Sequence, residues 1–132
     1  MRFADTSFWV GLQIARDSRH ADAAAVWSEN RQPVRTSTAV LGETWTLLNR
    51  RAGHRAAVAF VDAIEKSARV SVVGIDEETD RRAWTWLRAR DERTYSYVDA
   101  TSFERMRRDR LSEALAFDGD FSAAGFIEVR PE

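Results

Sequence analysis

The chain of 132 residues has no cysteine. That excludes a disulfide scaffold, a thiolate zinc site and a cysteine nucleophile, and it fits a reducing compartment. No stretch approaches the roughly 20 apolar residues that span a bilayer. Met1 leads straight into Arg2-Phe3-Ala4-Asp5, without the basic start and apolar stretch of a secretory signal. A soluble, cytoplasmic protein with no membrane contact is expected. Lysine is almost missing as well, since Lys66 stands alone among 20 basic residues. The other cations are arginines, grouped at Arg50-Arg51, Arg81-Arg82 and between Arg105 and Arg110. They read as solvated helix faces that can also fork onto phosphate. Internal repeats and low-complexity segments are absent too.

What is present suits one globular domain over residues 1–132, with 44% hydrophobic and 31% charged residues around one core. Basic and acidic residues nearly cancel, at 20 against 21, so net charge points to no anionic partner. Short β-branched or apolar runs alternate with helical patterns. Strands are expected at residues 2–5, Val34–Thr36, Val70–Val73, Ala114–Phe117 and Phe126–Val129. Between them, helices are expected near Phe8–Ala15, His20–Asn30, Ala39–Arg51, Arg55–Ser67, Asp76–Arg90 and from Tyr97 or Val98 to about Arg110, with a turn of helix at Phe121–Ala124. This alternation predicts an α/β fold with a mostly parallel sheet covered by helices on both faces.

Four carboxylates fall at the edges of hydrophobic segments: Asp5, Glu43, Asp99 and Asp118. In an open α/β sheet, ligands bind beyond the carboxyl ends of the strands. Asp5 is expected to end the first strand and Asp118 the fourth, so both face that crevice. Glu43 lies three residues after Val40 and four before Leu47, which puts it on the apolar side of its helix. Asp99 sits in a first helical turn, on a stripe with Phe103 and Met106, where a negative charge is favoured. Taken singly, Asp5 reads as a helix cap, Asp99 as a first-turn acid and Asp118-Gly119-Asp120 as a turn. Taken together, four acids aimed at one place call for a cation.

The same residues carry a family resemblance. Phe3-Ala4-Asp5-Thr6-Ser7, Leu41-Gly42-Glu43-Thr44 with Leu47-Leu48, Val98-Asp99-Ala100-Thr101-Ser102-Phe103, and Ala114 to Phe121 followed by Gly125-Phe126 resemble, in this order, a PIN-domain ribonuclease. More narrowly, the chain is similar to the VapC-type toxin of a bacterial VapBC pair. The resemblance implies a PIN-like fold, an acidic pocket binding magnesium or manganese, and hydrolysis of an RNA phosphodiester. It also implies a homodimer and a VapB-type antitoxin whose tail crosses the groove. Asp5 and Asp99 are the nearest metal ligands on this reading, and Glu43 and Asp118 hold water or a second ion. Thr6, Ser7 and Ser102 are accessory candidates. Where the family often has a hydroxyl residue two places before its last acid, this chain has Ala116, so Asp120 stands beside Asp118 as a candidate. Ala116 also keeps open a PIN-like binding module without catalysis. A DNA nuclease or a phosphatase is a further alternative, because an acidic metal site does not choose among phosphate esters.

His20 and His54 lack partners at ligand spacing and are expected at the surface. The five tryptophans are expected in the core or at interfaces. Trp9 and Leu12 are candidates to line a groove beside the acids. Trp84 and Trp86 cannot share a helix face, so one of them is expected to be exposed.

Overall fold

In the computed structural model, which describes all 132 residues, five strands and seven helices alternate along the chain. They are β1 (Arg2–Ala4), α1 (Thr6–Gln13), α2 (His20–Glu29), β2 (Val34–Ser37), α3 (Thr38–Ala52), α4 (His54–Lys66), β3 (Val70–Val73), α5 (Glu77–Arg88), α6 (Tyr97–Arg108), β4 (Glu113–Leu115), α7 (Asp120–Ala123) and β5 (Ile127–Glu128). The strands form one parallel sheet in the order β3-β2-β1-β4-β5. No helix is long and apolar enough to cross a membrane.

Successive side chains of a strand point to opposite faces of the sheet. Phe3 and Ala4 in β1 and Ala114 and Leu115 in β4 are all fully buried, so the central strands are covered on both sides. Phe8, Trp9, Trp27 and Phe60 form one group of ring contacts. Trp86, Tyr95, Phe103, Phe121 and Phe126 form another. Trp9 is 1% exposed and its indole N–H donates to Thr36 Oγ1 at 3.3 Å, so it belongs to the core and cannot line a groove. Leu12 is half-buried at the edge of the core. Of the two tryptophans on α5, Trp84 is 45% exposed and leans on Tyr97, while Trp86 packs inward.

His54 is exposed, but His20 is half-buried, and its Nδ1 lies 2.9 Å from the Gly11 carbonyl. It ties α2 to α1. The strand ends differ from expectation in one place that bears on function. β4 closes at Leu115, so Asp118 lies three residues beyond its end rather than at it.

The strand order places the functional crevice. From β1 the chain builds outward through β2 to β3, then returns to add β4 and β5 on the other side of β1. The order therefore reverses between β1 and β4, and the segments leaving these strands diverge to leave a cleft. Asp5 follows β1 directly, and its backbone N–H still donates to the Leu115 carbonyl at 3.0 Å.

Candidate metal centre

Three of the acids meet at this reversal. Asp5, Asp99 and Asp118 each offer a carboxylate oxygen, and these oxygens lie within 4.8 Å of one another. Each is delivered by a different local device. Asp5 caps α1, with Oδ2 accepting from the Ser7 N–H at 3.2 Å and from Ser7 Oγ at 2.9 Å. Ser7 Oγ in turn accepts from the Phe117 N–H at 3.0 Å, which ties the β1–α1 junction to the segment after β4. Asp99 is held by a capping box at the start of α6. Ser96 Oγ accepts from the Asp99 N–H at 2.9 Å, and Asp99 Oδ2 accepts from the Ser96 N–H at 3.0 Å. Asp118 precedes a turn in which Gly119 takes a left-handed conformation, φ +81°, that suits glycine. Asp118 Oδ1 accepts from the Asp120 N–H at 3.1 Å.

None of the three acids is neutralised by a protein cation, since no ion pair includes them. Asp5 is 2% exposed, and its carboxyl is pushed up to about 8, first by burial and then by the charges of Asp118 and Asp99. Asp99, 7% exposed, is raised to about 6, again mainly by burial, with the Ser96 N–H pulling the other way. Asp118 is the most open of the three. It too is raised, by loss of water contact and by the neighbouring Asp120 and Glu128 charges. Such a group holds either shared protons or a cation.

The donor set suits a hard cation. Three carboxylates with no sulfur or imidazole match magnesium or manganese rather than zinc or copper. Ligands on opposite sides of a magnesium ion stand about 4.2 Å apart, so small side-chain rotations let these oxygens share one. Thr6 Oγ1, buried beside Asp5, is the one buried side-chain polar atom without a hydrogen-bond partner.

A PIN-domain model matches residues 2–127. The chain belongs to the PIN-domain family. Two relatives, both named 23S rRNA-specific endonuclease VapC20 and belonging to Mycobacterium tuberculosis strains CDC 1551 / Oshkosh and ATCC 25618 / H37Rv, are each 57% identical over 132 residues. Those alignments cover 100% of both chains. The crystal structure of Mycobacterium tuberculosis VapC20, described as a sarcin-ricin loop cleaving toxin, matches with a TM-score of 0.95 at 55% sequence identity. That match covers 99% of this chain and 100% of the other.

Within this PIN domain the acids expected to act together fall into two ranks. Glu43, half-buried on α3, lines the same cleft of about 570 Å³ but stands outside the group of three. Asp120 also lines the cleft, and Arg93 holds its Oδ1 through Nε at 3.0 Å and Nη2 at 2.9 Å. The Asp118 carboxylate thus meets no cation of the protein, whereas one oxygen of Asp120 is committed to Arg93. Thr6 and Ser7 reach the cleft wall, whereas Ser102 is fully buried and its hydroxyl donates back to the Val98 carbonyl at 2.9 Å. Ala116 is likewise buried in the core, so its side chain does not line the cleft. Residues outside the expected set complete the wall, notably Asp17, Arg19, Arg51 and Thr94. All but Arg51 sit in connecting segments, where functional side chains concentrate but no periodicity marks them.

Proposed function

We propose that this chain, as a single PIN domain over residues 1–132, is a metal-dependent endoribonuclease. It serves as the toxin of a toxin–antitoxin pair. The observation that carries this reading is the convergence of Asp5, Asp99 and Asp118 within 4.8 Å, with no cation of the protein among them. Full-length similarity to ribosomal-RNA endonucleases supports RNA, and 23S rRNA in particular, as the substrate. The partners proposed on the same ground are a VapB-type antitoxin and a second copy of the chain, acting in the cytoplasm.

Asp5, Asp99 and Asp118 would hold magnesium, with manganese as a substitute, and Glu43 would orient water at the edge of the group. Such a cation, when bound, supplies an activated water and neutralises charge on the phosphate oxygens. The protein's part is placement. Ser7 fixes the Asp5 carboxylate against the segment that carries Asp118, and the Ser96 box fixes Asp99, so the oxygens are gathered before a ligand arrives. The buried floor formed by Thr6 and Phe117 limits water around Asp5. No histidine lines the cleft, so proton transfer rests on the carboxylates and solvent.

Purified protein is to be incubated with RNA, DNA and a small phosphoester, with manganese and with a chelator. RNA alone is expected to be cut, with cleavage lost in chelator and in Asp99→Asn. Cleavage that persists in chelator overturns the metal assignment, and preferential cutting of DNA overturns the substrate.

A further inference from the structure

The cleft that gathers the acids also holds one cation that no carboxylate neutralises. Six acids line it, Asp5, Asp17, Glu43, Asp99, Asp118 and Asp120, against two arginines. Arg51 is paired, its Nη1 donating to Asp17 Oδ2 at 3.0 Å. Arg19 makes no ion pair. Its guanidinium carbon lies 5.7 Å from the centroid of the Phe117 ring, and Nη2 donates to the Phe117 carbonyl at 3.4 Å. Phe117 immediately precedes Asp118, so the free guanidinium stands beside the backbone that presents one of the three converging acids.

Arg19 is held there by its backbone. Asp17 Oδ1 accepts from the Arg19 N–H at 2.9 Å, while the other Asp17 oxygen holds Arg51. His20 Nδ1, one residue on, donates to the Gly11 carbonyl at 2.9 Å. A Cβ on Gly11 would lie 3.3 Å from Arg19 Cβ, so the bare glycine lets residue 19 sit close against α1. Nε and Nη1 of Arg19 have no hydrogen-bond partner within the protein, and half of the fork remains available.

An RNA strand entering this cleft brings phosphates toward six carboxylates, and the repulsion needs a fixed positive group besides any bound ion. Arginine suits that task because its planar fork matches two phosphate oxygens. Resting on the ribonuclease reading above, we infer that Arg19 is a substrate-positioning residue. It grips a non-bridging oxygen of a phosphate adjoining the scissile bond, on the Phe117 side of the acidic group.

The test measures binding of a fluorescent single-stranded RNA to Asp99→Asn protein across a salt series, alone and with Arg19→Ala, Arg19→Lys or Arg31→Ala. Arg31 is exposed just before β2 begins, at the amino ends of the parallel strands and outside the cleft, and controls for charge. Arg19→Ala is expected to weaken binding about tenfold and to flatten the salt slope by roughly 0.7, the loss of one phosphate contact. Arg19→Lys keeps the slope and recovers only part of the affinity. With all acids intact, Arg19→Ala raises KM and leaves kcat within about threefold, as loss of uniform binding does. The thermal midpoint stays within about 2 °C, as for an exposed side chain. An unchanged slope and KM in Arg19→Ala, or an equal loss in Arg31→Ala, overturns the assignment. If the parent protein neither binds nor cuts RNA, the ribonuclease reading falls and this inference with it. If the parent cuts RNA and Arg19→Ala is indifferent, only Arg19 is wrong.

Discussion

Asp118 and Asp120 are two residues apart and line the same cleft, yet their surroundings differ in the way that matters for a cation. Asp118 accepts one backbone N–H and faces Asp5 and Asp99, while Asp120 is clasped by the Arg93 guanidinium. Asp118→Asn is therefore expected to lower RNA cleavage by about 10²-fold or more, the scale of removing one charge-stabilising group from a reaction centre. Asp120→Asn should cost less than about tenfold, with little change in stability because the Arg93 pair is open to solvent. Single-turnover cleavage of the two variants decides between them, and an equal loss in both would refute the ranking. The sequence could not rank these acids, because the difference comes from Arg93, 27 residues before Asp120, and from a turn whose direction depends on Gly119. The placement of Asp5 and Asp99 was legible, since Asp5 caps α1 and Asp99 stands in the first turn of the helix that Ser96 caps. Glu43 was legible as half-buried from its spacing to Val40 and Leu47, but its distance from the other three depends on how α3 leans over the sheet. Arg19 and Asp17 were not legible at all, because their arrangement rests on side-chain to backbone bonds within a connecting turn.

Helix α6 delivers Asp99 through its first turn, so the cap is part of the site. In its capping box Ser96 and Asp99 satisfy each other's backbone N–H, and the Asp99 oxygen used for capping sits on the same carboxylate that faces Asp5 and Asp118. Ser96→Ala is expected to lower stability by about 1 kcal/mol. It should also lower RNA cleavage by about tenfold, because the Asp99 carboxylate, proposed above to hold the cation, loses its orienting partner. Ser96→Thr should restore most of both, as threonine caps nearly as well. Calorimetry and cleavage rates on the same samples check this, and a stability loss without any change in cleavage would separate the cap from the site. The helices were readable because apolar residues recur at helical spacing, and their ends because Asp5, Ser37, Asp76 and Ser96 supply capping side chains. Strand β3 was readable from its β-branched run at Val70–Val73. The fourth strand was overextended for a physical reason. Ala116 and Phe117 are as buried as strand residues, but pairing with β1 and β5 stops at Leu115 and Ala114, and hydrophobicity alone does not mark where a ladder ends.

Across the whole molecule, the strand order forces three acidic segments to one point, and the fold carries that charge as a cost until something neutralises it. Asp5 and Asp99 have folded-state values of about 8 and about 6, both above the ordinary carboxylate value of 3.8. Between the ordinary and the raised values, the native state binds more protons than the unfolded chain, so stability falls as pH rises. The loss from Asp99 is complete near pH 6 and that from Asp5 near pH 8. Asp76, Asp109 and Glu113 are lowered by arginine partners and helix caps, so they act oppositely, adding stability above about pH 4 that is lost in acid. A melting curve of the wild type alone mixes the two trends, but the difference between Asp5→Asn and wild type isolates the first. In chelator, Asp5→Asn should melt near the wild-type temperature at about pH 4 and progressively above it as pH rises toward about 8. Added manganese should reverse the order, because only the wild type keeps all three carboxylate charges. At a hundred times its dissociation constant, a bound ion adds about 2.7 kcal/mol, which for a chain of this size raises the midpoint on the order of 8 °C. A difference that stays flat with pH in chelator would mean that the Asp5 carboxyl is not held out of water, and an equal response of both proteins to manganese would place the ion elsewhere.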